Sequence, residues 1–375
     1  MVGKLICCLS ISAVLVATPA VAETVKIGVI MGLSGPPTIV DFGESWMQGV
    51  ETAVREYKES GGKHQIELIT YNDEAKPERA VALAQRLISN DKVSIALGTV
   101  NSGNAAAFAP LFQEAKIPVL VGPAIATNIV EQFKHEKPSY VFRCSLVEKF
   151  QVEKLLDWTT TNFKKVGLLH ATSGYGIFAA GEVRNGLKAR GYDLVAVEAV
   201  APNVTDYSPQ LLKLREAGAE IVLNFTDTYE LFYRAATKIN WKPATAGNWG
   251  LASQMLFKVV GEKAIEGTSM VVPVDTRAER VTAFNDKLQK HYGSKFRWPP
   301  VAVLGYDSAR LALAAIDKAG VKPADIRDAL EKIDDFQAIS GAPKQPFTAE
   351  NHECLSPETI FLGQWKNGSV VTISN

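Results

Sequence analysis

The amino-acid sequence predicts an α/β protein built as two similar doubly wound parallel-sheet lobes, and three observations predict it. Short apolar runs alternate with amphipathic stretches along the chain, the pattern of parallel sheets covered by helices on both faces. The series restarts after Arg143: run, loop, helix and run at 166–199 echo the same order at 25–71. No tandem repeat, low-complexity segment or Pro-rich linker separates the halves, so short extended crossings are expected between them.

In the first half, 25–30 reads as a strand that breaks at once into Gly32-Leu33-Ser34-Gly35-Pro36. A helix over 45–60 follows, closed by Gly61-Gly62. A strand over 66–71 leads to a helix over 78–89, where Val81, Leu83, Ala84, Leu87 and Ile88 mostly share one stripe. Strands over 93–97 and 119–121 flank a helix over 105–115. In the second half, helices over 148–160, 177–190, 208–217 and 230–239 interleave with strands over 166–170, 194–199 and 221–225. Candidate crossings are 140–145, 270–274 and roughly 356–363. They divide the chain into a first lobe of 23–143 with 275–355 and a second of 144–274 with 356–375.

Ahead of the first strand, residues 1–22 read as a cleavable export signal. Lys4 precedes an apolar run over 5–16, and Ala20-Val21-Ala22 is a small-x-small cleavage signature. The run is too short to span a bilayer comfortably, and Cys7 and Cys8 lie too early for a lipoprotein site. The expected mature chain is exported, soluble and about 350 residues long, enough to bury two cores. Cleavage removes only Lys4 among the charged residues, leaving 39 basic against 40 acidic. A near-neutral balance argues against nucleic acid or an anionic membrane as partner.

Cys144 and Cys354 remain, a possible disulfide in an oxidising compartment, although sequence does not show that they meet. The histidines are scattered and no Cys-x-x-Cys exists, so neither a zinc site nor any cofactor is expected.

Ligands of a parallel sheet bind outside the carboxyl ends of its strands, where helix N-termini offer free N–H groups. Four strand-end loops qualify. Gly98-Thr99-Val100-Asn101-Ser102-Gly103 and Gly122-Pro123-Ala124-Ile125-Ala126-Thr127-Asn128 place hydroxyls at helix starts, suited to a carboxylate. Taken alone, Ser102 and Asn128 read first as simple helix caps. Thr172-Ser173-Gly174-Tyr175-Gly176 sets an aromatic on a flexible loop, either a contact residue or an ordinary turn tyrosine. In Thr226-Asp227-Thr228, Asp227 is an N-cap or a partner for a ligand ammonium. Gly247-Asn248-Trp249-Gly250 frames a tryptophan with glycines, an unusual setting for a core residue. Enzyme signatures are missing: there is no Gly-x-Ser-x-Gly elbow, no Gly-rich phosphate loop and no outstanding carboxylate pair.

These residues carry a resemblance that covers essentially the whole mature chain. Lys26-Ile27-Gly28-Val29 with Gly32-Leu33-Ser34-Gly35-Pro36, Phe42-Gly43 and Tyr71-Asn72-Asp73-Glu74 with Pro77 belong to it. So do Pro123 with Ala126-Thr127-Asn128, Tyr140-Val141-Phe142-Arg143 and Tyr175-Gly176. In this order and spacing the chain resembles the leucine/isoleucine/valine-binding type of periplasmic solute-binding protein, which serves ABC importers. The resemblance implies a type I periplasmic binding fold, two lobes on a three-stranded hinge, working in the periplasm as a monomer with importer permease subunits as partners. By matched position, Ser102 and Thr127, with backbone around Ile125 and Ala126, would hold a ligand carboxylate. Phe42 would pack on the ligand from the first loop and Tyr175 would close from the second lobe.

Two departures concern the ligand. Branched-chain amino-acid receptors of this type carry a glutamate for the ligand ammonium at the position of Trp249. Many also have a disulfide between the positions of Ala75 and Asn101. Trp249 can stack on an ammonium but cannot neutralise it, so Asp227 takes that role or the ligand lacks an α-amino group. The expected function is a receptor for a small carboxylate-bearing solute, an amino acid ahead of an aromatic or aliphatic acid. A ligand sensor on the same fold is the alternative.

Overall fold

A computed structural model describes residues 23–293 and 298–374; the expected export signal at 1–22 lies outside them. The first lobe is built on β1 (Thr24–Met31), α1 (Pro37–Glu59), β2 (Gln65–Asn72), α2 (Pro77–Arg86), β3 (Ile95–Gly98), α3 (Ser102–Ala115), β4 (Val119–Val121), α4 (Asn128–Glu131) and β5 (Val141–Arg143). Its five strands are all parallel, in the order β2-β1-β3-β4-β5. The second lobe follows with α5 (Glu148–Asn162), β6 (Val166–Ala171), α6 (Gly174–Ala189), β7 (Leu194–Val200), α7 (Ser208–Glu216), β8 (Ile221–Phe225), α8 (Tyr229–Lys238), β9 (Ala244–Gly247), α9 (Gln254–Val260), α10 (Glu262–Ile265) and β10 (Ser269–Val272). The chain then returns to pack α11 (Glu279–Tyr292), α12 (Pro299–Ala319) and α13 (Pro323–Glu331) in series, with α12 lying along α1. It ends in β11 (Phe361–Lys366) and β12 (Ser369–Ser374). These two strands add an antiparallel edge to the second sheet, whose order is β12-β11-β10-β9-β8-β6-β7.

Each sheet reverses its winding beside its first strand. β1 lies between β2 and β3, and β6 lies between β7 and β8. That reversal opens a crevice at the strands' carboxyl ends. β1 is buried along nearly its whole length, as expected of a strand covered on both faces. The apolar runs of β6 and β8 are fully buried in the same way.

Helix α1 starts at Pro37, well before the expected 45, so the opening loop is short and Phe42 sits on a helix. Thr38, Ile39, Val40 and Gly43 are weak helix formers, but Pro37 presets the first turn. Burial of Phe42, Trp46, Met47 and Val50 then outweighs propensity. Close approach explains two of its glycines. A Cβ at Gly43 would lie 2.0 Å from the Gly32 carbonyl oxygen. A Cβ at Gly49 would lie 2.0 Å from the Ala302 carbonyl on α12, and Gly305 faces the Trp46 carbonyl in the same way.

Part of the first expected crossing is strand β5. Beyond it the chain runs beside the third crossing. Arg143 donates its backbone N–H to the His352 carbonyl at 2.9 Å, and Cys354 donates to the Arg143 carbonyl at 3.0 Å. This contact lies upstream of the expected 356–363. The Arg143 guanidinium is fully buried and fully used: Nε and Nη2 grip Glu353 at 2.6 and 2.5 Å, and Nη1 donates to the Ala126 carbonyl at 2.8 Å. Such saturation is what a buried cation requires. Cys144 and Cys354 meet here as buried free thiols, Cys354 Sγ pointing at Cys144 Sγ 2.7 Å away.

Candidate functional site

The carboxyl ends of the two sheets face one another across a cleft of about 70 Å³, room for a few water-sized groups. The first lobe lines it with Thr38, Ile39 and Phe42 from α1, Val100, Asn101 and Ser102 from the β3–α3 loop, and Pro123 and Ile125 after β4. The second lobe adds Tyr175 from the first turn of α6, Thr226, Asp227 and Tyr229 after β8, and Asn248, Trp249 and Gly250 after β9. Six of the eight expected ligand residues, Phe42, Ser102, Ile125, Tyr175, Asp227 and Trp249, therefore share one cleft.

Ala126 and Thr127 are not among its lining residues. Ala126 is wholly buried, its N–H donating to Ser102 Oγ at 3.1 Å and its carbonyl committed to Arg143. Thr127 Oγ1 accepts the Lys149 N–H at 3.0 Å, and the residue lines a separate cavity with His352 and Glu353. The chain after Ile125 turns toward the hinge, where Arg143 and the start of α5 hold it.

The capping alternatives resolve locally. The cap of α3 is Asn101, whose Oδ1 accepts from Gly103 N–H at 2.9 Å and Asn104 N–H at 3.3 Å. Ser102 is thereby free of capping, and its Oγ instead accepts the Ile125 and Ala126 N–H groups at 3.2 and 3.1 Å. Its own O–H remains a donor. Neither Asn128 nor Asp227 caps a helix through its side chain. Burial pushes the Asp227 carboxyl above its ordinary range, with a hydrogen bond to Ser173 opposing.

Tyr175 is no exposed turn residue; it is 9% exposed at the start of α6. Asn248 bridges it to Tyr229: Nδ2 donates to the Tyr175 hydroxyl, and Oδ1 accepts from the Tyr229 hydroxyl and the Gly250 N–H, both at 2.8 Å. Burial raises both phenols. Asn248 and Tyr229 carried no separate signal in the sequence, although Asn248 lies in the segment that marked Trp249.

The lobes also touch. Phe42 packs edge-on against Trp249 and Trp298 at 4.7 and 4.6 Å between ring centres. On the preceding residue, Asp41 Oδ2 accepts from Ser253 Oγ of the second lobe at 2.6 Å. One helix thus supplies both an aromatic wall and a polar latch.

Fold and cleft together define a two-lobed α/β protein whose paired sheet ends face one another across a small cavity. The chain belongs to the periplasmic binding protein family, whose model matches residues 24–369, and it is of the type I, leucine/isoleucine/valine-binding kind. It is 26% identical over 383 residues to Leu/Ile/Val-binding protein homolog 7 of Brucella suis, covering 97% of this chain and 95% of that one. The branched-chain amino acid transporter substrate binding protein of Streptococcus pneumoniae, solved in complex with isoleucine, superposes with a TM-score of 0.81 at 21% identity. That match covers 94% of this chain and 100% of the other. A solute binding protein of an ABC transporter from R. palustris, in complex with 4-hydroxybenzoate, gives 0.77 at 23% identity, covering 94% and 96%. Among the described residues no helix is long and apolar enough to cross a membrane.

Proposed function

We propose that the protein is the periplasmic solute-binding component of an ABC importer, closing its two lobes on a small carboxylate-bearing solute, an amino acid by preference. The observation that carries this reading is the shared cleft at the two switch points. Its first-lobe wall offers the Ser102 hydroxyl at a helix start, a place for an anion, and its second-lobe wall offers Asp227. Closure is a population shift: a ligand that touches both walls only when the lobes meet stabilises the closed state by its differential affinity. The permease subunits would read that closed shape.

A second reading, an aromatic carboxylate, is favoured by the Phe42, Trp249 and Trp298 cluster, and one structural relative was solved with 4-hydroxybenzoate. A thermal-shift panel of amino acids, aromatic acids and aliphatic acids separates the two, because ligand binding to the native state raises the melting temperature. A rise with amino acids supports the first reading and a rise with benzoates the second. No rise with any carboxylate at millimolar concentration would sink both.

A further inference from the structure

The first turn of α5 holds a buried acid that the cleft's lining residues do not account for. Glu148 is fully buried, and neither of its carboxylate oxygens has a hydrogen-bond partner among the described residues. One turn on, Gln151 is also buried, with both side-chain polar atoms unpartnered among the described residues. Native proteins rarely leave such groups unsatisfied, since each costs the desolvation of a polar atom. Glu148 is not remote from the site. Its backbone N–H donates at 2.7 Å to the carbonyl of Ile125, a cleft residue of the opposite lobe. Its charge also acts on the Tyr175 and Tyr229 hydroxyls, which line the same cleft.

From this placement we infer that Glu148 is the counter-charge for a cationic end of the ligand, so that the solute is an amine-bearing carboxylate. The inference rests on the proposed function and narrows its substrate class. The nearest charged neighbours leave the role open. Arg143 is saturated by Glu353 and Ala126, and Glu182 on α6 only repels. Asp227, at the cleft wall, is the competing candidate. Burial, the Glu182 charge and a weaker opposing effect from Arg143 together raise the Glu148 carboxyl to about 8. Near neutral pH the acid is therefore mostly protonated. Pairing with an ammonium requires it to ionise, which becomes easier as pH rises toward 8.

Paired ligands that differ only in the ammonium group test this: leucine against 4-methylpentanoate, and phenylalanine against 3-phenylpropanoate, by calorimetry on the full mature chain. The wild type is expected to bind one amino member at least tenfold more tightly than its deaminated partner. That affinity should rise by up to about tenfold per pH unit between pH 6 and 8. Glu148→Gln should abolish both the preference and the pH dependence, whereas Asp227→Asn, a change in the cleft wall itself, can weaken both members of a pair but should leave their ratio and its pH dependence intact. A second readout needs no ligand. A carboxyl whose folded pKa exceeds its unfolded value destabilises the fold as pH rises from about 4.5 to about 8. That decline should be shallower in the melting curves of Glu148→Gln than in the wild type, since Asp227 and Asp307, also raised by burial, keep their share, and the same curves report that the variant is folded.

Retained preference in Glu148→Gln, or its loss in Asp227→Asn alone, overturns the assignment but leaves the proposed function standing. So does affinity that falls with pH, the sign of a protonated Glu148 donating to a ligand carboxylate. Wild type that binds only the deaminated acids removes the ammonium and keeps the carboxylate receptor. Failure of both series in the wild type removes the proposed function itself.

Discussion

The cleft wall supplied by the first lobe holds no ionisable side chain. Thr38, Asn101 and Ser102 are its polar members, and Ile39, Phe42, Val100, Pro123 and Ile125 complete it. The facing wall carries Tyr175, Asp227, Tyr229 and Asn248, with Glu148 close behind. Both walls stand at the same topological place, the carboxyl ends of strands beside a switch point. Topology therefore decides where a ligand sits, and the side chains decide what it is. In the proposed reading the first wall takes an anion at a hydroxyl and a helix start, and the second takes a hydrogen-bonding or cationic end.

The comparison can be broken from the second wall, where the largest effect is expected. Asn248→Ala strips the buried Tyr229 hydroxyl and Gly250 N–H of their acceptor and the Tyr175 hydroxyl of a donor. Unsatisfied buried groups cost about 1–3 kcal/mol each, so the melting temperature should drop by several degrees and ligand affinity should fall with it. An unchanged melting curve would show that the network is ornamental.

On the first wall the expected effect is smaller and falls on binding. Ser102→Ala removes the proposed ligand donor and the acceptor of the Ile125 and Ala126 N–H groups. Affinity should weaken by roughly tenfold, about 1.4 kcal/mol, measured by calorimetry with whichever carboxylate raises the melting temperature. Equal affinity in the variant would move the carboxylate elsewhere in the cleft.

The smallest effect sharpens the boundary of that wall. Thr127→Ala loses only an exposed acceptor for the Lys149 N–H, worth less than about 0.5 kcal/mol, and should leave ligand affinity unchanged. A tenfold loss would mean that Thr127 reaches the ligand after all.

The two walls also differ in how readable they were. Strand-end loops marked the segments that hold Ser102, Tyr175, Asp227 and Trp249, because apolar runs locate the strands and their ends locate the site; Ile125 was singled out within its loop by the family resemblance. Phe42 came from the resemblance alone, and it lies on a helix rather than in the expected loop. Thr127, two residues past the last cleft residue of its loop, lies outside the lining, with its hydroxyl engaged by the Lys149 N–H. Glu148 left no mark for a different reason. An acid in the first turn of a helix is ordinary, being favoured by the helix dipole, and only packing reveals that this one is buried without a partner. Asn248 is similar: its value lies in joining Tyr175 and Tyr229, 73 and 19 residues away.

What the sequence determined by itself is local: alternating strands and helices, their restart after Arg143, and the loops that must end at a parallel sheet's edge. Those features follow from periodicity, burial and turn chemistry over tens of residues. Tertiary structure alone decided which acid is desolvated, that Asp41 latches onto Ser253, and that α1 begins early enough to carry Phe42 into the cleft. Each depends on groups distant in the chain being excluded from water together, a property of the packed lobes that no local stretch of residues encodes.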